Sequence, residues 1–197
     1  DHGGVTGYTG DVRSLFEIQN SVAAYYRMLD AFEKREPLSE VLICELQGLL
    51  TQGTYDTLRY QKGERPGAYK KHDYVTGARE VGALPEDVPE ELGELVKELE
   101  GIQPGQALTA AAYFHAKFEN IHPFADGNGR AGRLLMNYLL LLRDHPPIIV
   151  HEEDRRTYYD ALERFDNDQE LDSLVDFLKA QTIKTWRARF ERGINRT

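Results

Sequence analysis

The twelve residues His122-Pro-Phe-Ala-Asp-Gly-Asn-Gly-Arg-Ala-Gly-Arg133 place a proton acceptor, a carboxylate, three glycines and two guanidinium groups in one short stretch. Glycines at 127, 129 and 132 let main-chain N–H groups approach an anion, and a helix starting there turns its positive end to the same point. Arg130 and Arg133 are three apart, so on that helix they share a face and can aim two planar forks at further phosphates. If they were merely solvated, two cations in a first turn would oppose the helix dipole, a penalty that a bound anion removes. Asp126 beside them is a hard oxygen donor suited to Mg²⁺, which takes one or two carboxylates together with phosphate oxygens. His122, with an ordinary pKa of about 6.5, suits a general base near neutrality. Phe124, between these groups, reads as an apolar anchor for the loop.

Gly127, Gly129 and Gly132 also satisfy Gly-x-Gly-x-x-Gly, the dinucleotide fingerprint. That fingerprint requires a strand before it and a βαβ unit around it, whereas residues 113–120 read as helix. No Gly-Lys-Ser/Thr is present to form a P-loop, so a dinucleotide oxidoreductase is the weakest of the nucleotide readings.

The elements that must position this loop are helices. Ser14-Leu-Phe-Glu17 has capping-box form and starts a helix with Ile18, Val22, Tyr25, Leu29 and Phe32 on one stripe. Pro37 stops it, and Ser39 starts a second helix through Leu42, Leu46, Leu49 and Leu50. From 53 to 89 the helical period vanishes. There Tyr74-Val-Thr76 and Arg79-Glu-Val81 flank Gly77 and predict a short hairpin over 70–84, either a surface excursion or a flap beside a site. Further helices are predicted over 88–99, 108–120, 130–143, 154–165 and 170–190. The third of these is apolar nearly all round and belongs at the centre of a bundle. The expected fold is therefore mainly α with one small β-hairpin. Residues 14–197 form a single domain, and residues 1–13 are an N-terminal loop or the remnant of a regulatory arm.

Composition narrows the partners. A chain of 197 residues, 41% hydrophobic and 29% charged, can bury a sizeable core. A net charge of −9 argues against nucleic acid as a general partner, because phosphate backbones are held by surplus Lys and Arg. A local pocket can still oppose that sign for a small anion. The single cysteine, Cys44, excludes an internal disulfide and a cysteine zinc site, and its apolar surroundings make it a small core residue. No segment is long and apolar enough for a membrane span, and a cytoplasmic setting is the expectation.

The loop resembles that of the Fic family, His-x-Phe-x-Asp/Glu-Gly-Asn-Gly-Arg-x-x-Arg. Every fixed position is filled, by His122, Phe124, Asp126, Gly127, Asn128, Gly129, Arg130 and Arg133. Glu36-Pro-Leu-Ser-Glu40, Pro66-Gly-Ala-Tyr69 and Tyr158-Tyr-Asp-Ala-Leu162 resemble family segments in family order. The resemblance implies a Fic-type helical bundle and AMPylation, the transfer of AMP from ATP to a Ser, Thr or Tyr hydroxyl of a target protein. It assigns His122 as base and Asp126 to Mg²⁺. Asn128 with the backbone of Gly127 and Gly129 would cradle the α-phosphate, and Arg130 and Arg133 would bind the outer phosphates. It implies a target-docking flap at Tyr74, Val75, Thr76, Gly77, Ala78 and Arg79. The adenine site would draw on Tyr159 and the segment after it, where Asp166 and Asn167 compete and Asn167 is the site residue assigned. Relatives also transfer other groups, remove AMP, or could bind nucleotide without catalysis, and these remain alternatives. The family's inhibitory motif, Ser/Thr-x-x-x-Glu-Gly/Asn, does not occur. A Glu restraining Arg133 would come from a separate partner or from a helix at or ahead of Asp1, or this member is unrestrained, and the oligomeric state is open.

Overall fold

Sequence periodicity and capping chemistry set most of the helices in the computed structural model, which describes residues 12–74, 82–103 and 105–194. In chain order these are α1 (Val12–Glu33), α2 (Glu40–Thr51), α3 (Thr57–Gln61), α4 (Val88–Glu100), α5 (Ala107–Ile121), α6 (Asn128–Leu142), α7 (Arg155–Asp168) and α8 (Asp172–Ile194). A single 3₁₀ turn, Glu152–Asp154, leads into α7. Ser39 caps α2 as its type predicts, its Oγ accepting the Leu42 N–H at 3.2 Å. Asp56 caps α3 in the same way, accepting the Arg59 N–H at 2.8 Å. This short helix lies in the stretch where helical period is lost, and sequence reading missed it.

Helices α5 and α6 form the centre because each is apolar on two faces. Phe114, Phe118 and Ile121 of α5 and Leu135, Tyr138 and Leu139 of α6 enclose one core with α1, α2 and α4. Ala111, Ala112 and Ala116 of α5 and Met136 and Leu140 of α6 enclose a second core with Tyr158, Ala161 and Phe165 of α7 and Leu174, Phe177 and Leu178 of α8. Each large side chain fully buried in this way stabilises the fold by about 1.5–3 kcal/mol. The all-round apolar character of 130–143 is thus a consequence of serving two cores at once.

Two sequence expectations for α1 are corrected. Among the described residues α1 already runs from Val12, so Ser14 and Glu17 lie inside its helical turns and not at a helix start at Ser14. The buried stripe is Asn20, Ala24, Met28 and Ala31, whereas Ile18, Val22 and Tyr25 of the predicted stripe are exposed. Two alanines, Met28 and Asn20 take the inward face, which packs on α2. Asn20 Nδ2 reaches the main-chain oxygens of Leu50 and Gln52 at 3.3 and 2.7 Å.

Of the predicted hairpin, residues 75–81 lie outside the described residues, and with them Val75, Thr76, Gly77, Ala78 and Arg79 of the flap. The described ends, 70–74 and 82–84, contain no strand. Cys44 is half-buried against the first core, and burial pushes its thiol pKa up. Among the described residues no helix is long and apolar enough to cross a membrane.

Candidate active site between the two central helices

The loop joining α5 to α6 starts at a forced change of direction. His122 closes α5 in the left-handed region, φ 50° and ψ 62°, with its N–H donating to Phe118 O at 3.0 Å. A left-handed residue with a Cβ costs about 1–2 kcal/mol. Such strain marks functional sites when the surroundings hold it, and here they do. Pro123 O accepts the Lys70 N–H at 2.9 Å. Phe124 is fully buried, its ring 5.7 Å from that of Tyr69 and 6.3 Å from that of Phe118.

Asn128 fastens the loop to itself. Its Oδ1 accepts the Phe124 N–H at 2.9 Å and its Nδ2 donates to Phe124 O at 2.7 Å. Both ends of the buried amide are therefore engaged within the loop. Gln47 holds the other side, donating to Asp126 O at 2.8 Å and accepting the Gly67 N–H at 2.6 Å. Gly127 then starts α6 at φ +78°, where a Cβ would stand 2.5 Å from Thr51 Cγ2. Among the described residues no side chain caps this helix start. Gly129 leaves room for Arg133, whose Nη1 lies 3.2 Å from where a Cβ would be. Arg130 Nη2 lies 3.6 Å from the corresponding point at Gly127, so both guanidinium groups flank the open end of α6. They also line a groove of about 630 Å³ with Val22, Tyr25, Leu50 and Leu134.

The electrostatics favour a neutral histidine beside a crowded carboxylate. Burial pushes His122 down to about 4, the Lys70 ammonium adds to this, and Asp126 opposes it. His122 is therefore unprotonated at neutral pH, with its Nδ1 enclosed and without a hydrogen-bond partner. Lys70 is itself 2% exposed, its Nζ enclosed and unpartnered, and burial pushes its pKa down. Asp126 faces three guanidinium groups: Arg13 at 2.8 Å, Arg130 at 3.8 Å and Arg59 at 4.0 Å.

Beneath Arg133 lies a buried polar layer that sequence reading did not anticipate. His115 Nε2 meets Tyr158 OH at 2.6 Å. A Cβ at Gly132 would stand 2.6 Å from Glu119 Oε1 and 3.0 Å from His115 Nδ1, so the glycine is what lets α6 close on these two groups. Burial pushes Glu119 up to about 7, Arg133 opposing and Asp166 adding to the rise. His115 is pushed down to about 3 by burial, with Arg133 contributing.

The structure thus brings His122, Phe124, Asp126, Gly127, Asn128, Gly129, Arg130 and Arg133 together. Tyr159 and Asn167 are different. Both are exposed on α7, and among the described residues no hydrogen bond joins either to the loop. Asp166, beside Asn167, turns inward and accepts from Asn120 Nδ2 at 2.8 Å. Tyr158, not Tyr159, reaches the layer under Arg133. Tyr74 is half-buried with its hydroxyl enclosed, near the start of the flap segment. Arg13, Glu17 and Lys70 carry no local sequence signal, and only contacts across the fold reveal them. Among the described residues no group of three or more His, Cys, Asp or Glu is placed to hold a metal ion.

A model described as "Fic/DOC family" matches residues 37–140. Proteins named protein adenylyltransferase Fic from Drosophila persimilis and Aedes aegypti are 45% and 44% identical over 75 residues. That segment is 38% of this chain and 15% of each relative. A Fic domain containing signaling protein from Bacteroides thetaiotaomicron superposes with a TM-score of 0.79 at 26% identity, over 93% of this chain and 74% of that one. Fic-1 from C. elegans gives 0.80 at 23% identity, over 98% and 56%. IbpAFic2, in a structure where it is covalently tethered to Cdc42, gives 0.57 at 23% identity, over 91% and 65%.

Proposed function

The chain belongs to the Fic/DOC family, and from that membership and the geometry of residues 122–133 we propose that it is a protein adenylyltransferase. The observation that carries this reading is the pairing of a neutral, buried histidine with an uncapped, glycine-started helix flanked by two guanidinium groups. The relatives named adenylyltransferase make ATP the donor to test first. The tethering of IbpAFic2 to Cdc42 makes a protein the class of acceptor.

In this reading the target's Ser, Thr or Tyr oxygen attacks the α-phosphorus of ATP. The new P–O bond forms as the bridging bond to the β-phosphate breaks, pyrophosphate leaves, and His122 takes the hydroxyl proton. A base of depressed pKa is a weak acceptor, but it is fully available at neutral pH. Main-chain N–H groups at the start of α6 meet the charge developing on the α-phosphate, since the Asn128 side chain is occupied in shaping the loop. Arg130 and Arg133 take the outer phosphates. Asp126 would hold Mg²⁺, which would supply positive charge against the leaving group. The segment around Tyr74 to Arg79 serves as the docking flap, and Tyr159 and the end of α7 serve the base, with inward-facing Asp166 better placed than Asn167.

The test is transfer of label from ATP radiolabelled at the α-phosphate to protein, with and without Mg²⁺. His122→Ala should abolish transfer and keep ATP affinity within about twofold. Failure of the wild type to label any protein while it binds ATP as tightly as the variant would reduce the site to a nucleotide-binding module.

A further inference from the structure

Asp126, Arg13, Glu17 and Arg130 form a closed ring of alternating charge. Arg13 Nη2 donates to Asp126 Oδ2 at 2.8 Å and Arg13 Nε to Glu17 Oε1 at 3.0 Å. Glu17 Oε1 is 3.4 Å from Arg130 Nη1, and Arg130 Nη2 is 3.8 Å from Asp126 Oδ1. Two members come from the first turns of α1 and two from the loop and the start of α6. The pairs made by α1 are those a metal–nucleotide complex would otherwise make, with a cation on the carboxylate and carboxylate oxygens on the phosphate-facing arginine. We propose that Arg13 is a further residue of this site, a side-chain cation that stands on Asp126 and must leave it for the metal–nucleotide complex to bind.

The inference rests on Asp126 as the metal-binding carboxylate, the assignment made above. Exposure decides which partner moves. The Arg13 side chain is 45% exposed and Asp126 18%, so Arg13 can swing into water while Asp126 stays held by its neighbours. Asp126 is fixed through its own main chain, where Gln47 donates to its carbonyl. An ion pair with one exposed partner is weak, so the exchange is reversible and Arg13 tunes metal affinity without abolishing it. Arg59 does not replace Arg13. It lies 4.0 Å from Asp126 and makes its own close pair with Asp56 at 2.5 Å. Glu17 has the complementary part, releasing Arg130 when Arg13 leaves.

The experiment is Mn²⁺ binding followed by electron paramagnetic resonance in the presence of a non-hydrolysable ATP analogue, which reads the metal site without turnover. Arg13→Gln should tighten Mn²⁺ roughly two- to fivefold, the range a single exposed pair allows. Asp126→Asn should weaken it. Arg156→Gln, which removes the same charge from a side chain 94% exposed on α7, should leave it unchanged. Unchanged or weaker Mn²⁺ binding in Arg13→Gln, with Asp126→Asn weakened, overturns the role of Arg13 and leaves the metal assignment standing. Equal tightening by Arg156→Gln overturns it too, as a bulk charge effect. Mn²⁺ affinity unaffected by Asp126→Asn removes the metal assignment and the proposal together.

Discussion

Gly127→Ala should destabilise the protein for two separable reasons, and a second substitution can divide them. The residue sits at φ +78°, which costs an L side chain about 1–2 kcal/mol. The new Cβ would also lie 2.5 Å from Thr51 Cγ2, where carbon atoms rest at about 3.5–4.0 Å. Thr51 is fully buried and its Oγ1 donates to Gln47 O at 2.9 Å, so the methyl cannot rotate away without breaking that bond. Overpacking of this kind costs about 1–3 kcal/mol. The total is roughly 2–5 kcal/mol, or about 2–4 °C of Tm per kcal/mol for a chain of this size. Thr51→Ser deletes Cγ2 and keeps the hydroxyl. Alone it should cost about 1 kcal/mol for a buried methyl. In the Gly127→Ala background it should restore the steric part and leave the φ penalty, a coupling of about 1–3 kcal/mol. Urea unfolding of the four proteins, followed by circular dichroism, measures the cycle. A loss below about 0.5 kcal/mol in Gly127→Ala, or additivity within about 0.5 kcal/mol, refutes the packing account.

Asn128→Ala should cost about 2–4 kcal/mol, because it leaves the Phe124 N–H and C=O buried and unpaired. It should also weaken ATP binding although the side chain is turned into the loop; unfolding and calorimetric titration check both. The acid limb of kcat/KM should lie near 4 rather than 6.5, and Lys70→Met should move it upward by removing the cation that helps depress His122. A wild-type limb at 6.5 contradicts the burial of the base. Stability should respond to pH from two directions. His115 and His122 have depressed pKa values, so the unfolded chain binds their protons first and stability is lost as pH falls below about 6.5 toward 3–4. Glu119, raised to about 7, keeps its proton in the fold, so its contribution is full below about 4.5 and is lost as pH rises through 7. Glu119→Gln should flatten that upper leg, by at most roughly 3 kcal/mol at pH 8; urea midpoints from pH 4.5 to 8 measure it.

The turn from α5 into α6 was legible in the sequence because its demands are local. Glycines, a helix start, a carboxylate and a histidine within twelve residues can be read without the fold. The central place of α6 was also legible, since residues apolar all round have few other places to go. The inward face of α1 was not. Large apolar residues define the strongest periodic stripe there, but the face packed on α2 carries Asn20, Ala24, Met28 and Ala31. The helix α3 was hidden because its five residues, Thr57–Gln61, are too few to show a period. Asn128 was read as a ligand to phosphate from its place in the motif, whereas the fold engages both ends of its amide on Phe124. Arg13 and Lys70 lie 113 and 52 residues from their partners Asp126 and His122, and no spacing rule spans such distances.

Local charge, not net charge, decides whether an acidic chain can take an anion at this loop. A net charge of −9 is spread over the surface, and at physiological ionic strength its field decays over about 8 Å. At Asp126 the field is set instead by groups within 4.0 Å, and these are three guanidiniums. Each of the three also meets a second carboxylate: Arg59 pairs with Asp56, and Arg13 and Arg130 share Glu17. The ring of Arg13, Arg130, Glu17 and Asp126 is therefore balanced in charge. Among the described residues Arg133 has Glu119 and the Tyr158 hydroxyl beside it, and burial favours the protonated, uncharged form of Glu119. The protonated form of Glu119 puts no negative charge on Arg133, and the buried layer of His115, Tyr158 and Glu119 lies beneath it. Glu119 thus lies beneath α6 at Gly132, and His122 lies ahead of its open end.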